Sequence, residues 1–147
     1  MYFEIIVKCY KERFVSLLMA NFRKYTTSSG LNIIGGRDSS NNDELCFFAK
    51  PKDVLLHTNA PGSPFVNLGE EPSKQEIKEG AIFCAKFSQD WRDSKRDVSV
   101  NKFLRKDMVK DKKMKSGTWS VKRQKRMRVR KSDILEFEEG LKGGPAS

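Results

Sequence analysis

SKQEIKEGAIFCAKFS, residues 73–88, is the run on which the fold turns. Ser73 stands three residues ahead of Glu76, the spacing at which a hydroxyl and a carboxylate satisfy each other's backbone amides at a helix start. Behind them Ile77, Ala81, Cys84 and Ala85 fall on one helical face, with Phe87 near its edge. The spacing predicts a helix over roughly 74–88. Its apolar stripe has to be laid on another element.

The flanking segments supply strands for it to lie on. Upstream, residues 22–27 read as a strand, Ser28-Ser29-Gly30 as a turn, and residues 31–34 as the returning strand. Gly35-Gly36 ends that hairpin, with two residues free to take positive φ. Asn41 with Glu44 three later signals the start of a short helix that passes Leu45 and Phe48 and stops before Pro51. Residues 54–57 form a short apolar strand, Thr58 to Pro64 a loop, and residues 65–68 the next strand. Downstream, Trp91 follows the helix and residues 97–100 read as a strand. A polar loop then runs from Lys110 to Gly117. Trp119 and Val121 alternate with polar residues, and Met127 and Val129 alternate with Arg126, Arg128 and Arg130. With Lys122 to Lys125 between them, these two runs read as a hairpin with one apolar and one cationic face. The order predicts an α+β domain: a mixed, mostly antiparallel sheet with one long helix packed on it and one short helix. The domain is expected over 19–138, with an N-terminal extension at 1–18 and a flexible tail at 139–147. Met19 is a plausible start of translation.

Charge is distributed unevenly. The 147 residues carry a formal charge of +10. Between Lys102 and Lys131 there are 14 Lys/Arg against two acids, a local charge of +12, so the rest of the chain sums to −2. A block of this kind points to a polyanionic partner, whereas an even scatter would mean only solubility. A solvated face or a disordered basic tail is the plain alternative. The apolar residues set within the block, Phe103, Leu104, Trp119, Val121, Met127 and Val129, argue for a folded surface.

Several chemistries are poorly supplied. The three cysteines, Cys9, Cys46 and Cys84, have no CxxC spacing, and His57 is the single histidine, so no zinc pattern exists. Reduced cysteines point to the cytoplasm. The apolar N-terminal stretch is broken by Glu4, Lys8, Lys11, Glu12 and Arg13, which leaves no run long enough to span a membrane. With one histidine in an apolar segment, a Ser-His-Asp or Cys-His site is not expected, and His57 reads as a structural residue. No catalytic residue, metal or cofactor is expected, and the chain reads as a binding protein, not an enzyme.

Binding chemistry is better supplied. Period-two spacing puts Arg126, Arg128 and Arg130 on one sheet face, about 6–7 Å apart, close to the phosphate spacing of one nucleic-acid strand. Guanidinium binds phosphate through paired hydrogen bonds. Lys122, Arg123 and Lys125 extend that surface. The loop Asn59-Ala60-Pro61-Gly62-Ser63-Pro64 is stiffened by two prolines, lets a partner approach at Gly62, and offers neutral hydrogen bonds from Asn59 and Ser63. Gly35-Gly36-Arg37-Asp38 could hold an anion, although a turn with an Arg37–Asp38 ion pair is the simpler reading.

Three of these features occur together in one family. Residues 27–38 (TSSGLNIIGGRD), followed by Asn41-Asn42-Asp43-Glu44-Leu45, resemble the opening of the NFACT-R domain. Pro51-Lys52-Asp53-Val54-Leu55-Leu56-His57, then Pro61-Gly62-Ser63 and Val66, are similar to its next conserved string. Residues 81–95 are similar to its helix, and Lys102, Lys106 and Gly117 sit where its lysine-bearing segment and turn lie. The resemblance covers about residues 22–131. It implies RNA binding, with tRNA or rRNA as ligand and the ribosome as a possible partner, in translation quality control or tRNA modification. Combined with the basic block, the reading is a module whose phosphate contacts come from Lys102, Arg105, Lys106, Lys122, Arg123, Arg126, Arg128 and Arg130. Arg37, Asn59 and the Pro61–Ser63 loop would add more specific contacts. The sequence departs from the family at Asn59, commonly an acid, and at Pro64, commonly a His. Two other functions stay open. Cys46 or Cys84 could relay sulfur in a tRNA thiolation system if either is an exposed thiolate. The basic face could instead meet an acidic protein. DNA is a variant of the RNA reading.

Overall fold

A computed structural model describes residues 21–142. In chain order the elements are β1 (Arg23–Thr26), β2 (Asn32–Gly35), α1 (Ser39–Phe48), β3 (Asp53–Thr58), β4 (Val66–Glu70), α2 (Lys74–Lys86), α3 (Gln89–Ser94), β5 (Val98–Leu104), a 3-10 turn (Arg105–Asp107), β6 (Met108–Val109), β7 (Ser120–Val121), β8 (Lys125–Val129) and α4 (Lys131–Lys142). The fold is α+β. Six strands form one antiparallel sheet in the order β1-β2-β4-β3-β5-β8, and β6 pairs with β7 in a separate two-stranded ladder.

The capping box of α2 is present: Glu76 N–H donates to Ser73 Oγ at 3.1 Å, and Ser73 N–H donates to Glu76 Oε1 at 2.8 Å. Ala81, Cys84 and Ala85 are buried beneath this helix against Leu56, Leu68, Val98 and Val100. Gly80 allows the helix to sit close, since a Cβ there would lie 2.5 Å from Leu68 Cδ2. The helix ends at Lys86, before Ser88, because Ser88 caps a new helix by accepting the Trp91 N–H at 3.2 Å. That short α3, which the sequence reading did not foresee, buries Trp91 completely.

α4 is a second departure. The first residues of the segment expected as a tail, 139–142, belong to a helix that begins at Lys131 and runs through Lys142. Ile134 is fully buried, and Phe137 packs edge-on to Tyr25 at 5.2 Å. This apolar stripe is thin and set among acids, which disguised it. The segment 1–18 lies outside the described residues.

The opposite sheet face carries a smaller core. Leu55, Phe65 and Phe103 pack there against Leu45 and Cys46 of α1 and against Met108. α1 starts earlier than Asn41: Asp38 is the cap and accepts the Asn41 N–H at 2.8 Å. Asp38 is therefore occupied by the helix, and the simple Arg37–Asp38 turn gives way to a cap. The expected C-terminal hairpin does not form. β7 pairs with β6 (Met108↔Val121) and β8 with β5 (Val100↔Met127). Alternation fixes which side chains share a face but does not specify the partner strand, and these two runs of matching period belong to different ladders.

Candidate nucleic-acid interface

The register divides β3, β5 and β8 into two faces. Val98, Val100, Met127 and Val129 face α2 and α4, whereas His57, Asn101, Arg126, Ser99 and Arg128 share the other face. α1 covers only part of that second face. The uncovered part is a cleft of roughly 720 Å³. His57, Phe65 and Asn101 contribute to its floor, Arg37 and the start of α1 to one wall, and the Pro61–Ser63 loop to another.

Neighbouring groups hold these walls. Asn42 is buried, accepts the Phe65 N–H at 2.9 Å and donates to the Ser63 carbonyl at 3.3 Å, which ties α1 to the loop. Gly36 makes room for it, because a Cβ at Gly36 would fall 1.8 Å from Asn42 Oδ1. Gly62 takes φ +86°, and its carbonyl accepts the Gln89 N–H at 2.7 Å, stapling the loop to α3. Ser63 is used inward: its hydroxyl accepts the Thr58 N–H at 3.0 Å and donates to the Pro64 carbonyl at 3.3 Å. It shapes the loop and does not present a free hydroxyl. Pro61 and Gly62 are exposed.

His57 packs against Phe65 with centroids 4.4 Å apart and the rings tilted by 38°, and its Nδ1 bonds the Thr58 carbonyl at 2.7 Å. Burial lowers its pKa, outweighing the carbonyl, so the ring stays neutral over a wider pH range than a free histidine. Cys46 and Cys84 are both fully buried. Burial pushes the Cys84 thiol up to about 12 and raises Cys46 as well. Neither is the exposed thiolate that sulfur relay needs, so that alternative loses its residues; Cys9 lies outside the described residues.

The predicted cations fall into three settings. Arg126 is at the rim of the cleft, donating to Asn59 Oδ1 at 3.0 Å. Asn59 is exposed, and its Oδ1 also accepts from Asn101 Nδ2 at 3.4 Å. Arg128, on the same face, is ion-paired with Asp97, to which its Nε donates at 2.7 Å. Arg130 lies past the end of β8, in a hollow with Asp97, Arg128 and Lys131. The Lys131 amide and Arg128 together hold Asp97 below the usual carboxylate range. The second setting is the far end of the same edge, where Lys102 pairs with Lys125 across β5 and β8, on the opposite sheet face from Arg126, with Arg123 beside them. Lys106 and Lys122 are exposed near the 3-10 turn, where the Lys122 N–H donates to the Asp107 carbonyl at 2.8 Å. The third setting is internal: Arg105 donates to the Cys46 carbonyl at 2.5 Å and lies 4.9 Å over the Trp119 ring. The basic block therefore wraps both faces of the β8 edge and does not form a single ladder.

Three residues outside the sequence reading matter. Asp43 gathers the loop 110–119: its Oδ1 accepts the Gly117 N–H at 3.0 Å and the Trp119 indole N–H at 2.9 Å, and Lys110 Nζ lies 3.2 Å away. Burial pushes the Asp43 pKa up, but these donors outweigh it and hold the carboxyl low. Arg23 and Arg92 join Arg37 in lining the cleft. No sequence pattern signalled them, since one sits in β1 and the other in the unforeseen α3.

Fold and surface thus define a small α+β domain with an edge strand of exposed cations beside a stiff-walled cleft. The profile of the NFACT protein RNA binding domain matches residues 21–123, and the chain belongs to this family of RNA-binding domains. No curated protein matches the chain. Among solved structures it is similar to the C-terminal part of the fibronectin/fibrinogen-binding protein from Streptococcus suis, with 26% identity and a TM-score of 0.70. That match covers 79% of this chain and 48% of the other, so this chain spans about half of that structure. Among the described residues, no helix is long and apolar enough to cross a membrane, and no group of three or more His, Cys, Asp or Glu is placed to hold a metal.

Proposed function

We propose that this chain binds structured RNA, tRNA or rRNA, by phosphate contacts along the β8 edge, and acts in translation quality control or tRNA modification in the cytoplasm. The observation that carries the reading is the exposure of the cations at the β8 edge: Lys122, Arg123, Lys125, Arg126, Arg128, Arg130 and Lys131 are all exposed, and Arg128 alone among these has an ion-pair partner within the described residues. Like charges set side by side repel one another in the absence of a polyanion, and each phosphate bound would release counterions. Lys102 and Lys106 extend the track, and Arg105 braces the Trp119 loop. The binding is non-catalytic.

Competition among tRNA, rRNA fragments and duplex DNA, with the salt dependence measured for each, tests the reading. Tight, RNA-preferring binding is expected. Failure of every nucleic acid would reject it in favour of an acidic protein partner.

A further inference from the structure

Three guanidiniums converge on one end of the cleft. Arg23 Cζ lies 4.4 Å over the Phe87 ring, and Arg92 Nη1 donates to the Phe87 carbonyl at 3.4 Å, so Phe87 brings the two together. Arg92 is further fixed by Gln89 Oε1 at 2.8 Å, on the residue whose amide holds Gly62. Arg37 follows two residues after Gly35, the cross-strand partner of Arg23. All three arginines line the cleft, and the single carboxylate among its lining residues, Asp38, is already capping α1. Burial, then the charges of Arg37 and Arg92, lower the Arg23 pKa, as expected for cations held together without a counter-ion.

Two further atoms lack partners. Arg23 Nε is buried without a hydrogen bond, and so is Oδ1 of Asn101, which is 7% exposed in the cleft floor. Buried polar groups are normally paired. A donor beside the arginines and an acceptor at the floor, separated by the His57–Phe65 pair, match the two ends of a nucleotide: phosphate at one, base or ribose at the other. A volume near 720 Å³ is within the range of small-molecule pockets.

We propose that Arg23, Arg37 and Arg92 form a phosphate subsite, and that the cleft takes one unpaired nucleotide of the bound RNA with its phosphate among them. This rests on the RNA reading above and adds a discrete pocket to the diffuse edge. Arg126, bonded to Asn59 at the rim, links the two and sets the direction in which the strand leaves.

The test is titration of the full chain with a nucleoside 5′-monophosphate at up to millimolar concentration, followed by NMR, with the matching nucleoside as control. The variants are Arg37→Gln/Arg92→Gln, both at exposed positions, and the control Lys74→Gln/Lys78→Gln on α2. The nucleotide should saturate the wild type with shifts around the cleft, and the nucleoside should bind at least about tenfold more weakly. Arg37→Gln/Arg92→Gln should weaken the nucleotide by about tenfold, and Lys74→Gln/Lys78→Gln, which removes two exposed cations away from the cleft, should leave it unchanged. An oligoribonucleotide with and without a 5′-phosphate identifies the source: a difference means a terminal phosphate, and equal binding that still weakens in Arg37→Gln/Arg92→Gln means a backbone one. No saturation by the nucleotide, or equal binding by wild type and Arg37→Gln/Arg92→Gln, overturns the subsite. If the wild type still binds structured RNA in that case, the RNA reading stands without the pocket. If it holds the nucleotide but no RNA, the RNA reading fails and the pocket stands.

Discussion

The cleft walls are held by short bonds among neighbours, Asn42 to Phe65 and Ser63, Gly62 to Gln89, Asp43 to Gly117 and Trp119. Along the β8 edge, a few residues away, Arg126 and Arg130 are both exposed, Arg126 held by a hydrogen bond to Asn59 and Arg130 lying past the strand end. The contrast separates two ways of binding an anion. A charged edge attracts any polyanion and is weakened by salt, whereas a stiff-walled cleft selects by shape and keeps its geometry when salt is added. Substitutions in the two regions should therefore fail differently: the cleft through stability, the edge through affinity alone.

The largest effect should come from the cleft wall. Asn42→Ala leaves the Phe65 amide and the Ser63 carbonyl without their bonds, which should cost about 1–3 kcal/mol. Gly36→Ala should cost a similar amount, because its Cβ would collide with Asn42. Thermal melts should show either variant several degrees below wild type. Unchanged melting would mean that the wall is not what holds the cleft.

Next comes the edge. Arg126→Gln/Arg130→Gln should lower RNA affinity about tenfold at low salt, while stability stays within about 0.5 kcal/mol of wild type. A fall in melting temperature comparable to that of Asn42→Ala would erase the distinction between the regions.

His57 gives the cleft a pH signature. Its folded pKa is depressed from 6.5, so the unfolded chain binds the proton more readily. That stability is present above the unfolded value and is lost as pH falls through 6.5 toward the folded value. Melting temperature should drop between roughly pH 7 and pH 5, and His57→Gln should drop less over the same interval. Equal slopes would show that some other group is responsible.

The smallest effect distinguishes arginines within the edge. Arg128 is already paired with Asp97, so Arg128→Gln should reduce RNA affinity less than Arg126→Gln, and Asp97→Asn should raise it slightly. The reverse order, read by the same binding assay, would mean that the Asp97 pair opens when RNA arrives.

Local chemistry was legible in the sequence wherever a residue type and its neighbour decide the outcome. Ser73 and Glu76 cap α2, Gly35 ends β2, and Asp53 to Thr58 is a strand. What failed was partnership. The alternation at Trp119–Val121 and at Met127–Val129 is real, but the strands pair with β6 and β5, choices set by the sheet as a whole. The same limit applies to the site. Arg37 and the Pro61–Ser63 loop could be picked out as local motifs, and both line the cleft. Arg23 and Arg92 could not, because only the β1–β2 register and the packing of α3 on Phe87 bring them beside Arg37. Ser63 showed the opposite failure: its hydroxyl looked available and is used to fasten its own loop.

The most direct measurement is the dependence of RNA affinity on salt, compared between wild type and the triple variant Lys125→Gln/Arg126→Gln/Arg130→Gln. For a phosphate-binding edge, the logarithm of affinity should fall steeply with the logarithm of salt, and the slope should flatten by about 0.7–0.9 for each phosphate contact removed. An identical slope in the two proteins, or a wild-type affinity indifferent to salt, would contradict it.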